Sequence, residues 1–259
     1  MPSDAVPLSL FDTLPTPRVW SMLVSIFGDL ARNPEDQVDG RVLTNLTDGM
    51  GLKPEAVRVA LHRLRNDEWI ASVKSGRTAR HALTPHGRRE TLAASALIYA
   101  KPGEMPTDWI AAITETNDPN QKDVMLKSGF TQLAPRIFVA GADARVPASV
   151  IVLDGKNAPA WMRDAIVDPD MTAQYEDLLT HLHRIRTDLA EQPITSPKDI
   201  ALLRCLIVHH WRRLVLRHPY LPPAVTGEKW AGHLCRDTVT QLFDRLPRPE
   251  LADLRADIG

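Results

Sequence analysis

The chain has 259 residues, a formal charge of −1, 44% hydrophobic and 24% charged residues. That composition is ordinary for a water-soluble globular protein with room for two or three small cores. Its two cysteines, Cys205 and Cys235, are too few for a disulfide framework or a four-cysteine zinc site. No apolar run approaches the ~20 residues a bilayer requires, and "MPSDAVPLSLFDTLP" lacks the basic and apolar regions of a secretory signal. The expectation is a cytoplasmic protein without membrane contact.

The first helix is expected after Pro17: Val19, Met22, Leu23, Ile26, Phe27 and Leu30 recur at helical spacing, with Thr16 as N-cap. "NPEDQVDG" is polar and punctuated by Pro and Gly, the pattern of a loop. A short helix over "RVLTNLTDGM" follows, with Val42, Leu43, Leu46 and Met50 as its apolar stripe. Gly49 and Gly51 bracket a tight turn. "KPEAVRVALHRLRNDEW" then turns Ala56, Val57, Ala60, Leu61 and Leu64 inward. Its outward residues are Glu55, Arg58, Val59, His62, Arg63, Arg65 and Asn66. Two extended stretches, "WIASVK" and "RHALT", joined by "SGRTA", complete the order helix, helix, tight turn, helix, hairpin. This is the order of a winged helix-turn-helix domain, whose third helix enters the DNA major groove while the hairpin reaches the neighbouring backbone.

The charge distribution points the same way. Between Lys53 and Arg89 there are nine Lys or Arg against three Asp or Glu, in a chain that is otherwise nearly neutral. Arg58 and His62, four apart, share a helix face suited to base edges or phosphates. Lys74, Arg77 and Arg80 suit phosphates beside the groove, whose contacts add salt-dependent affinity, and Lys53, Arg63 and Arg65 are further candidate DNA-binding residues. Residues 1–99 are therefore expected to bind double-stranded DNA.

"KPGEMPTD" has the composition of a linker, which sets a boundary near residue 100. Beyond it, "WIAAIT" is a candidate strand. "DPNQKDVMLKSG" is a helix opened by Asp118 and Pro119 and closed by Gly129. "FTQLAPRIFVAG" contains a second strand and "SVIVLD" a third. The order suggests a ferredoxin-like α+β domain over 100–165. From Met171 onward the pattern is helical, giving an all-α domain over 166–259. One helix there starts at Ser196 and Pro197 and is apolar nearly all round at its centre. Both cysteines are expected as small buried groups. The fold class is α+β and multidomain.

Several stretches resemble the PaaX family of bacterial phenylacetate-degradation repressors: "SIFGDL" (25–30), "AVRVALHRLRNDEWI" (56–70), "GRTARHALTPHG" (76–87), "LIVHHWRRLVLRHPYLP" (206–222) and "KWAG" (229–232). The resemblance implies the three-part layout above and a homodimer that represses catabolic genes. It also implies release of operator DNA on binding an acyl-CoA effector, typically phenylacetyl-CoA. The chain departs from the family in two places. Members commonly carry Gly before the tryptophan at the foot of the wing, where this chain has Glu68. They often carry an acidic residue and a tyrosine where this chain has His210 and Trp211.

Arg204, His209, Arg212 and Arg213 lie close together on one helix and are candidates to receive the phosphates of such an effector. The simpler reading is a buried polar network, which the apolar surroundings favour. His181, His183, His209 and His210 lack the spacing of metal ligands, so neither metal nor cofactor is expected. Two other function classes remain in view. A nuclease on the middle domain would need clustered acids, whereas Asp108, Asp143 and Asp154 are scattered and no catalytic signature occurs. A protein-interaction adaptor would have no use for the basic wing. The expected class is a repressor and not an enzyme.

Overall fold

The computed structural model describes residue 14 and residues 17–76, 78–218 and 220–257. It is a mixed α+β protein with two small antiparallel sheets. Its chain divides into two compact units. One comprises residues up to Tyr99 together with Thr180–Arg212 and Thr238–Gly259, the other Ala100–Leu179 and Arg213–Asp237. The segment 166–259 contributes residues to both units.

In the first unit, α1 (Val19–Leu30) buries Met22, Leu23, Ile26, Phe27 and Leu30. It begins at Val19, after an extended Arg18 at the N-cap position; the expected cap, Thr16, lies outside the described residues. The stretch expected as loop holds a two-residue strand, β1 (Val38–Asp39), which pairs with a later strand through Val38↔His81 and Asp39↔Arg80. Two residues are too short for a period-2 signal, so sequence pattern alone does not reveal it. Asp39 also caps α2 (Gly40–Gly49), its side chain accepting from the Arg41 N–H at 2.9 Å.

Between α2 and α3 (Pro54–Asn66) the chain turns through Gly51 at φ +68°. The Gly51 N–H donates to the Asp48 carbonyl and the Leu52 N–H to the Thr47 carbonyl. This is a Schellman closure, with glycine where a Cβ would be strained. Val57, Ala60 and Leu64 on α3 face the same core as Val42, Leu43 and Leu46. Strands β2 (Ile70–Ser75) and β3 (Thr78–Leu83) then pair in register from Ile70↔Leu83 to Ser75↔Thr78, giving the sheet order β1-β3-β2. Helix α4 (Pro85–Ile98) is capped by Thr84, whose hydroxyl accepts from the Gly87 N–H at 3.0 Å. A Cβ at Gly87 would lie 2.2 Å from the Trp69 carbonyl oxygen. That glycine belongs to close helix–strand packing and not to the wing.

Helix α8 (Pro197–Val215) starts as the sequence indicates, with the Ser196 hydroxyl accepting from the Asp199 N–H at 3.3 Å. Within the first unit, its buried Trp211 donates to the Ile98 carbonyl at 2.9 Å.

In the second unit, β4 (Trp109–Thr114) is followed by α5 (Pro119–Lys127), β5 (Thr131–Ala134), β6 (Ile137–Gly141) and β7 (Val150–Gly155). The segment expected to hold one strand thus holds two, because Pro135 and Arg136 (φ +67°) turn the chain back on itself. The order is β5-β6-β4-β7, antiparallel throughout. One face packs Ile110, Ala112, Phe138 and Ala140 against Met125 and Phe130; the other packs Trp109 and Val139 against α6 (Ala160–Ile166) and α9 (Pro223–Thr226). Helices α7 (Pro169–Glu191) and α10 (Ala231–Arg245) each contribute residues to both units, and α11 (Leu251–Ala256) closes the chain. Cys205 and Cys235 are buried and free.

Candidate nucleic-acid interface

The site is built from the outward face of α3. A helix with Val57, Ala60 and Leu64 turned into a core must present Glu55, Arg58, Val59, His62, Arg65 and Asn66 to solvent, and all six are exposed. Arg58 reaches back to Glu55 at 2.9 Å, and both side chains stay about three-quarters exposed, at 72% and 75%. His62 Nδ1 and the Asn66 amide lie 3.3 Å apart. Arg63 lies at the edge of this face, 3.4 Å from Asp67, with its guanidinium 5.2 Å from the Trp20 ring centre. Lys53, at the N-cap position of α3, is exposed as well. Exposed ion pairs of this kind are worth at most about 1 kcal/mol, so a phosphate or a base edge can take the arginine from its carboxylate at little cost.

The hairpin adds Lys74 and Arg80, both exposed. The register pairs Lys74 with Ala79 and Val73 with Arg80. Successive pairs alternate faces, so the two cations lie on opposite sides of the hairpin. Arg77 lies outside the described residues. Lys74 shares its face with His81, which is buried, lies 2.8 Å from the Ser72 hydroxyl and packs edge-on to Phe27. Burial, and then the positive charge of Arg65, push the His81 pKa below its ordinary value. This favours a neutral ring beneath the basic face.

Helix α2 contributes groups that the charge pattern did not single out. Arg41, Thr44 and Asn45 line an open groove of about 530 Å³ with Thr78 and Ala79 of β3. A second groove, about 340 Å³, runs between α2 and α3 and is lined by Thr44, Asp48, Pro54, Arg58, Leu61 and His81. The exposed position of Arg41 one turn ahead of Asn45 was the available signal. Not every cation is free for this surface, since Arg88 donates to the carbonyls of Pro34 and Leu83.

The second candidate cluster has a different character. Arg204 is buried and bound to Asp29 through both carboxylate oxygens at 2.9 Å; a third bond goes to the Leu246 carbonyl, and its guanidinium sits 4.6 Å from the Phe243 ring centre. Tyr99 donates to Asp29 at 2.7 Å. Burial alone would lower the Arg204 pKa, but the hydrogen bonds and charge of Asp29 outweigh it and hold the group above its ordinary value. Arg212 donates to the hydroxyls of Ser25 and Ser21 at 2.8 and 2.7 Å, and to the Ser21 carbonyl. His209, fully buried, has Nδ1 3.2 Å from the Ser25 hydroxyl. These contacts join α8 to α1. Arg213 is exposed and falls in the other unit.

Comparison with known proteins places these elements. Residues 18–87 match the family model described as PaaX-like protein, and residues 168–252 match that of the PaaX-like protein C-terminal domain. The chain belongs to the PaaX-like family. Its similarity to the transcriptional repressor PaaX of Escherichia coli (strain K12) is 26% identity, covering 90% of this chain and 81% of that one. Its fold is similar to that of an uncharacterized Mycobacterium tuberculosis protein, Rv0674, with a TM-score of 0.53 at 17% identity, covering 92% of this chain and 97% of that one. The residues bracketed by the first PaaX-like match include α1 to β3, and hence the whole basic face.

Among the described residues no group of three or more His, Cys, Asp or Glu is placed to hold a metal ion. No described helix is long and apolar enough to cross a membrane.

Proposed function

We propose that this chain is a transcriptional repressor that grips operator DNA with α3 in the major groove and the β2–β3 hairpin as a wing on the adjacent backbone. The observation that carries the reading is the outward face of α3: Arg58, His62 and Arg65 are exposed on one side of a helix whose opposite side buries Val57, Ala60 and Leu64. Kinship with a protein named a transcriptional repressor supports the same reading. Lys53, Arg63 and one wing cation supply phosphate contacts, which position the protein without reading sequence. Arg41 and Thr44 supply further ones from α2.

The second unit's strand order, with one helix between β4 and β5, agrees with a ferredoxin-like sheet that lacks its second helix. A homodimer would present two α3 helices to half-sites separated by about one helical turn or a multiple of it. The resemblance to PaaX repressors supports an acyl-CoA effector such as phenylacetyl-CoA and an aromatic or organic acid catabolic operon as target. Of the four residues considered for that effector, Arg204, His209 and Arg212 serve to tie α8 to α1 in this reading. Arg213 alone keeps an exposed charge to offer.

The test is fluorescence anisotropy of the full-length protein on its own upstream promoter and on random DNA, at two salt concentrations, with and without phenylacetyl-CoA. The expected result is promoter preference, a steep salt slope and release by the thioester. Because Lys74 and Arg80 face opposite ways, Lys74→Ala and Arg80→Ala should differ: one lowers the salt slope by about one and the other leaves it unchanged. Binding no tighter than to random DNA would overturn the repressor reading.

A further inference from the structure

We infer that Val59 reads the 5-methyl group of a thymine in the operator. The inference rests on the repressor reading and deepens it. Val59 is 71% exposed, more than any other large apolar side chain in the described protein. An isolated apolar side chain on a surface usually requires no explanation; what marks Val59 is its position. It lies four residues after Glu55, three before His62 and seven before Asn66, which on a helix of 3.6 residues per turn is the middle of the outward stripe. Glu55, Arg58, His62 and Arg63 flank it, and its apolar neighbours on α3, Ala56 and Ala60, carry only a methyl each, so no large apolar side chain of the helix shelters it. Two methyl groups therefore stand in water at the point where the proposed recognition helix comes closest to the bases.

Duplex DNA offers a matching group. In the major groove the thymine C5-methyl is the apolar feature of an otherwise polar array of donors and acceptors, and aliphatic side chains contact it. The exposed cations Arg58, next to Val59, and Arg63, one turn on, supply the charge that draws a polyanion to this surface. A second protein chain docking on Val59 would have to bury those charges, which disfavours that occupant.

Thymine and uracil differ by this methyl and pair identically, so the test substitutes one for the other. Full-length protein selects duplexes from a random-sequence pool. The selected duplex is then prepared with thymine or with uracil throughout, and both forms are titrated with wild-type protein and with Val59→Ala. The expected result is about a four-fold loss for the wild type on the uracil duplex per methyl read, the size expected for burying one methyl-sized group. Val59→Ala should bind both duplexes alike, and should match the wild type on uracil DNA. Equal wild-type affinity for the two duplexes would overturn the inference while leaving the repressor reading standing. So would a uracil penalty that persists in Val59→Ala, since the methyl would then be sensed elsewhere. Enrichment of no sequence at all would remove the repressor reading itself, and Val59's role with it.

Discussion

Helices α3 and α8 look alike on paper. "VRVALHRLR" and "RCLIVHHWRRLVLR" both mix aliphatic residues with arginine and histidine at short spacing. In the folded protein they part company. The Arg58 side chain is 72% exposed and its carboxylate partner 75%, whereas the Arg204 side chain is 5% exposed and Asp29 0%. The first pair sits in water and yields to a polyanion. The second is a strut: once Asp29 is buried, Arg204 must stay beside it, because a lone buried charge is far costlier than a broken surface pair. The same residue type thus serves a binding face in one helix and the assembly of the fold in the other, and the burial of its partner decides which.

The largest test of this contrast is to break the strut. Asp29→Ala leaves Arg204 buried without its carboxylate, and should cost about 3–5 kcal/mol of stability in urea denaturation. Arg58→Ala, by contrast, should stay within about 0.5 kcal/mol of wild type. A small effect at Asp29 would mean that water reaches Arg204 and that the pair is not a strut.

Tyr99 offers a smaller cut in the same network. Tyr99→Phe removes the 2.7 Å hydrogen bond to Asp29 and keeps the ring under Arg32, whose guanidinium lies 4.4 Å from the ring centre. The expected loss is about 1.5–3 kcal/mol, the range for a hydrogen bond to a charged group. Burial, followed by the charge and hydrogen bond of Asp29, raises the Tyr99 pKa well above its ordinary value of 10.0. The native state thus keeps the proton where the unfolded chain gives it up. The Tyr99 contribution to stability is constant below about pH 10 and falls as pH rises beyond it, by about 1.4 kcal/mol per pH unit for each such group. Tyr175, Tyr220, Cys205 and Cys235 are also shifted upward, so the alkaline fall should remain in Tyr99→Phe but become shallower by one group's share. An unchanged slope would show that Tyr99 ionises as freely in the native protein as in the unfolded one.

On the exposed side of the comparison the effects belong to binding. Arg58→Ala should cost about 1–3 kcal/mol of preference for operator over random DNA. His62→Ala should lower the same preference, and neither variant should shift the denaturation midpoint. A uniform loss on all DNA would instead class Arg58 with the phosphate contacts.

The exposed helix was the legible one. A stripe of aliphatic residues at helical spacing fixes which side of α3 faces inward, and the cations left over define the basic face without any knowledge of tertiary structure. The cap, proline and glycine signals at Ser196, Pro197, Gly51 and Gly129 were equally local. The strut was not legible, because Asp29 and Arg204 are 175 residues apart and neither carries a local sign of the other; the apolar setting of Arg204 indicated burial without naming the partner. The division into two interleaved units was hidden for the same reason. A run of helices such as 166–259 carries no local sign of which long-range contacts each helix makes. Lys74 and Arg80 were visible as cations, but their opposite facing depends on a register that only the folded hairpin supplies.

The smallest effect concerns the ends of α2 and α3. Both close with the same pair of hydrogen bonds. At α3 the Glu68 N–H donates to the Arg65 carbonyl, and the Trp69 N–H to the Leu64 carbonyl at 2.8 Å. In α2 the left-handed position is Gly51, while in α3 it is Glu68, at φ +56°. Glu68 also stands where members of the PaaX family commonly carry glycine. A side chain in that conformation costs about 1–2 kcal/mol, and glycine's greater freedom in the unfolded chain takes back about 0.5–1 kcal/mol. Glu68→Gly should therefore stabilise the protein by about 0.5–1 kcal/mol, read as a raised urea midpoint at constant slope. Gly51→Ala should act in the opposite sense. If Glu68→Gly destabilises instead, the side chain contributes more than its backbone costs, and the departure from glycine is a gain at the foot of the wing and not a tolerated strain.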